Sequence, residues 1–96
     1  MIKWIRLKRI CEGLCGRTVR IHSSTELNDD QVAGVEFNES EVNIILNMKL
    51  TKTEDMIIKA ISHEMLHVLT GNNNHNIDFE EKWLLLEKKI LEEYEK

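Results

Sequence analysis

The chain holds 96 residues in 11.3 kDa, which suffices for one domain around a single core and excludes a second, because a chain this short buries only about two thirds of its unfolded surface. Its 42% apolar and 31% charged residues set it apart from disordered chains, and its apolar runs fall far short of the roughly 18 residues a membrane span needs. A formal charge of −4 argues against nucleic acid as the main partner.

The charges are unevenly spread. Lys3, Arg6, Lys8, Arg9, Arg17 and Arg20 crowd the start, and glutamates such as Glu92, Glu93 and Glu95 crowd the end. The basic start interleaves with apolar residues and has no cleavage-site pattern, so it does not read as a secretory signal, and a cytoplasmic location is expected. From Lys3 to Cys15, Trp4, Leu7, Cys11 and Leu14 recur at helical spacing, with Gly16 as the breaker. Cys11 and Cys15 share one face of this helix as reduced thiols. Two cysteines alone make a poor structural zinc site.

Thr18 to Ile21 and Val32 to Phe37 alternate with period two, and Val42 to Leu46 is a short β-branched and apolar run, so three strands are expected. Asn38-Glu39-Ser40 has turn composition and makes Gly34 to Asn47 a β-hairpin. Thr51 to Glu54 matches a capping box that opens a helix through Met56, Ile57, Ala60, Ile61 and Met65 to Leu69, stopped by Gly71. Apolar around most of its girth, with Lys59 and Ser62 as its wet positions, this helix belongs at the centre. A loop from Gly71 to Asn76 follows, and Asp78 with Glu81 forms a second capping box for a last helix reaching toward Tyr94. The order helix, three strands, helix, helix is that of a single α+β domain over 1–96.

The chemistry is carried by His63-Glu64-Met65-Leu66-His67, an HExxH motif inside the strongest helix. Residues four apart share a helical face, so two imidazoles at this spacing can converge on one metal. Glu64, about 100° around the helix from His63, can lean toward the open side as a general base for zinc-bound water. Without a metal, Glu64 and His67 would be inward-facing polar groups on an apolar helix, costing several kcal/mol if unpaired. A catalytic zinc also wants a third protein ligand. Glu80, about 100° from Phe79, falls inside the apolar arc that runs from Phe79, Trp83, Leu86, Ile90 and Tyr94 on to Leu84 and Leu91, whereas Glu81 faces the opposite side as a capping acid. His75, eight residues beyond His67, is the rival, and His22 reads as structural.

HExxH followed closely by a glutamate-bearing helix resembles the gluzincin side of the zincin metallopeptidases. The small size and the three strands before the motif are similar to the minigluzincins, the projannalysin-like members, and the resemblance covers essentially the whole chain. It implies a minimal zincin-like domain and a zinc-dependent endopeptidase acting on peptide or protein substrates. On that resemblance His63, His67 and Glu80 hold one zinc ion and Glu64 is the catalytic base. It further implies an extended substrate paired with the strand that edges the cleft, for which Val42 to Leu46 is the candidate, and latency through a C-terminal segment, here Glu92 to Lys96. The sequence lacks the NExxxxD context of larger gluzincins, which leaves Glu80, Glu81 and His75 open as third ligand. His75-x-x-x-Phe79 is similar to the SprT-like metallopeptidases, where a histidine in that place completes the site and where the basic N-terminal face would act near nucleic acid. Thr70 and Asn73 stand where a metzincin has its glycine and third histidine. A zinc-binding module without turnover is the remaining alternative.

Overall fold

In the computed structural model, which describes residues 2–24, 27, 30–71, 75 and 78–96, three helices and three strands follow the expected order. Helix α1 spans Trp4–Cys15, strands β1, β2 and β3 span Thr18–Ser24, Ala33–Phe37 and Glu41–Asn47, and helices α2 and α3 span Glu54–Thr70 and Phe79–Tyr94. The fold is a small α+β domain. No helix among the described residues is long and apolar enough to cross a membrane.

α1 buries Leu7 and Cys11 and ends at Gly16, whose φ of 69° closes the helix with an N–H donated to the Glu12 carbonyl. That conformation suits a residue without a Cβ. The Glu12 carboxylate then accepts the Val19 N–H at 3.0 Å, tying α1 to β1. Both cysteines are free thiols. Desolvation pushes the buried Cys11 thiol up to about 12, with Cys15 and Glu12 adding to the shift.

The sheet has the order β1-β3-β2. β2 and β3 form the expected hairpin, with Ala33 opposite Leu46 and Phe37 opposite Val42. Its turn is closed by Asn38, whose Oδ1 accepts the Ser40 and Glu41 N–H groups at 2.8 and 2.9 Å. β1 lies parallel to β3 on the other side, from Thr18 opposite Glu41 to Ser24 opposite Asn47. Val42 to Leu46, expected at the edge of the cleft, is therefore the central strand. Its ladder groups are used on both sides, so it has none left for a substrate, and the free edge beside α2 belongs to β2. Val19, Val42, Ile44 and Leu46 are fully buried toward the helices, while Arg20, His22 and Glu36 on the other face are exposed.

α2 is the central element, with ten buried positions from Ile57 to Val68. Its cap differs from the expected one. Thr53 is the N-cap and its hydroxyl accepts the Met56 N–H at 3.2 Å, whereas Thr51 is buried and donates its hydroxyl to the Asn47 carbonyl at 2.9 Å. Asp78 stands at the N-cap of α3 as expected but makes no capping hydrogen bond through its side chain. Leu86, Ile90 and Tyr94 form the buried stripe of α3, which packs on both α1 and α2. At its far end the Tyr94 hydroxyl accepts the Lys3 N–H at 2.8 Å, and Arg6 donates to the Glu93 and Lys96 carbonyls.

Candidate metal centre

α2 is amphipathic in an unusual sense, since both its faces are buried and one of them carries polar groups. His63 and His67 lie one turn apart on that face, their rings 4.8 Å apart and nearly perpendicular. His75, beyond the end of α2, comes back to them. Its ring lies 5.1 Å from that of His63 and 4.9 Å from that of His67, and the ligand atoms of the three all fall within 4.8 Å of one another. His67 is buried, His63 half-buried and His75 exposed, so the cluster opens to solvent on one side.

The donor set fits a metal ion. His75 Nε2 faces His67 Nε2 at 3.1 Å, close to the roughly 3.3 Å that separates two nitrogens sharing a tetrahedral zinc at Zn–N distances near 2.05 Å. His63 Nδ1–H donates to Glu64 Oε1 at 3.2 Å. This arrangement leaves the His63 Nε2 lone pair free, the carboxylate-to-imidazole device by which metal-binding histidines are oriented. Glu64 itself is only 6% exposed, and a carboxylate so enclosed gains from a nearby cation.

Aromatic side chains hold the cluster. The Phe79 ring packs against His63, His67 and His75 at 5.1, 4.9 and 4.5 Å between centroids. Trp83, one turn further along α3, stands edge-on to His63 at 4.7 Å. Its indole N–H is shared by the Ser62 hydroxyl at 3.0 Å and the Lys59 carbonyl at 3.1 Å. Ser62, expected to be wet, is wholly buried because it serves this network, its own hydroxyl donating to the Lys59 carbonyl at 2.8 Å.

The remaining sequence-predicted residues lie elsewhere. Glu80 and Glu81 are both exposed on the first turn of α3, and neither belongs to the histidine group. The buried arc of α3 runs through Phe79, Leu86, Ile90 and Tyr94, so Glu80, about 100° from Phe79, sits just beyond its edge, as the exposed Leu84 also does. His22 is on the open face of the sheet, its Nε2 3.3 Å from Asn43 Oδ1. Of the loop expected between Gly71 and Asn76, residues 72–74 and 76 lie outside the described residues. The tail Glu92 to Lys96, expected to reach the cleft, is held against α1 through Tyr94 and Arg6, some 22 Å along α3 from Phe79. Trp83 was legible only as core, and Phe79 as core and as the last residue of the His75-x-x-x-Phe79 pattern. The successive steps of four from His75 to Phe79 and from Phe79 to Trp83 were the available sign that one helical face carries the rings onto the histidines.

Compared with known proteins, the chain matches no protein-family model, no curated protein and no solved structure.

Proposed function

We propose that this domain is a zinc-dependent peptidase of minimal zincin-like design, with His63, His67 and His75 as the metal ligands and Glu64 as general base. The carrying observation is the convergence of three imidazoles, two from an HExxH helix and one from the segment after it, beside a buried glutamate. This ligand set favours the SprT-like arrangement of the site, with His75 in the place that Glu80 would take in a gluzincin. Zinc, when bound, would supply Lewis acidity for a scissile carbonyl and for a water molecule. Glu64 then has two tasks. Its carboxylate takes the proton of the attacking water and returns it to the leaving nitrogen, and in the resting site it keeps His63 in the Nδ1–H form. Phe79 and Trp83 exclude water from one side of the cluster and fix the His63 ring.

Metal content per chain, measured on protein purified without added metal, tests the ligands. His75→Ala is expected to lose most of the zinc that the wild type retains, and Glu80→Ala to retain it. The reverse result would restore Glu80 as third ligand, and a wild type that takes up no zinc even when supplied with it would end the metal reading. Glu64→Gln tests the chemistry. It should keep its zinc and lose peptide hydrolysis by at least a thousandfold, on the order of 4 kcal/mol of transition-state stabilisation, whereas a wild type loaded with zinc and inert toward peptides would make the domain a binding module.

A further inference from the structure

The outer face of α3 holds two adjacent leucines in water, Leu84 and Leu85, which are 62% and 64% exposed. With Leu84 at zero and about 100° per residue, Lys88, Glu81 and Leu85 fall at about 40°, 60° and 100°, whereas the buried Leu86, Phe79, Ile90 and Tyr94 fall between about 200° and 280°. The two leucines therefore point directly away from the core. Exposed leucines are ordinary on a protein surface, and the charges around these are what single them out.

Glu80 and Glu81 precede the leucines, and Lys89 and Lys88 follow at equal distances from the point between Leu84 and Leu85, all four of them exposed. A second copy of α3 laid antiparallel across that point, related by a two-fold axis, brings residues equidistant from it to the same height. Glu81, roughly 5 Å from the centre along the helix axis, then meets Lys88 of the second copy, and by symmetry Lys88 meets Glu81 of the second copy. Leu84 and Leu85 pack on their own counterparts beside the axis. Laid parallel, like charges would face each other at both positions, so the pattern also fixes the direction. Among the described residues, neither Glu81 nor Lys88 makes an ion pair within its own chain.

We infer that the outer face of α3 is a self-association surface, through which two copies of this chain form a two-fold dimer with a Glu81–Lys88 pair on either side of a leucine contact. Other occupants fit the charges less well, since Glu80, Glu81 and Glu92, all exposed, would be repelled by an anionic lipid surface or by nucleic acid. The 16 residues of α3 offer a strip about 24 Å long and 10 Å wide, small beside the roughly 800 Å² per partner of a standard interface. The dimer is therefore a reversible one, populated at protein concentrations on the order of 100 μM.

Sedimentation equilibrium of the protein as purified, followed across protein concentration, is expected to show monomers passing reversibly into dimers. Glu81→Lys and Lys88→Glu each set like charges across the contact and should weaken the dimer at least tenfold, with the far-UV circular dichroism unaltered. Leu84→Gln, a change at an exposed position, should weaken it to a similar degree. The two charge variants are then mixed in equal amounts. Each supplies the sign that the other lacks, so both ion pairs form between them, and the mixture should dimerise at least as well as the wild type. Only folded chains can recover in this way. A wild type that stays monomeric up to about 1 mM, a charge variant or Leu84→Gln that dimerises like the wild type, or a mixture that stays monomeric where the wild type dimerises would overturn the inference.

Discussion

The two ends of α3 are built on opposite plans. At its start, the Phe79 ring packs on three histidines and the Trp83 ring on His63, and the Trp83 indole N–H donates to Ser62 and Lys59. At its end, Ile90 and Tyr94 are buried against the rest of the core and the chain terminus is fastened to α1 through Lys3 and Arg6. One helix thus joins a polar, half-open cluster to a dry anchor. The lesson is that polar groups which would weaken a small core are tolerated at one end because apolar packing at the other holds the helix in place.

The separation of roles can be broken most forcefully at the anchor. Ile90 is fully buried, so Ile90→Ala should lower unfolding stability by about 3 kcal/mol, read from chemical denaturation, while zinc per folded chain stays at the wild-type level. Loss of zinc from molecules that remain folded would show that the anchor also shapes the site. Trp83→Phe works from the other end. It keeps a ring against His63 and removes the N–H shared by Ser62 and Lys59, so stability should fall by about 1 kcal/mol and zinc should be surrendered to a competing chelator about tenfold more readily. If zinc retention is unchanged, Trp83 is packing alone. The smallest effect is expected for Tyr94→Phe, which removes only the acceptor of the Lys3 N–H. About 1 kcal/mol or less of stability should be lost, and a measurable change in zinc retention would couple the two ends.

Most secondary structure was legible because each element carries local punctuation. Gly16 and Gly71 close α1 and α2 in the left-handed conformation, with φ of 69° and 74°, and Asn38 closes the hairpin turn. Capping was harder to read. Thr51 and Thr53 are both plausible first residues, and the choice fell to Thr53 because Thr51 is drawn into the core by the Asn47 carbonyl. The pairing of β1 was not legible at all. Nothing local distinguishes an edge from a centre in runs as short as Thr18 to Ile21 and Val42 to Leu46, and the parallel partner of β3 lies more than twenty residues away in sequence.

The site divides along the same line. His63, Glu64 and His67 were readable together because helical geometry alone places them on neighbouring faces of one turn. The third member was not, since a wheel drawn for α3 ranks Glu80 by its angle from Phe79 and cannot say which side of the arc meets α2. That depends on how α3 lies against α2 and α1 at once, and its outcome leaves Glu80 in water and brings His75 to 3.1 Å from His67. The sequence by itself therefore determined the elements and the HExxH face, which follow from interactions within a few residues. Only the tertiary structure decided which strand became the free edge, which downstream residue joined the histidines and where the chain end was fastened, because each of these is a competition between distant groups for the same space.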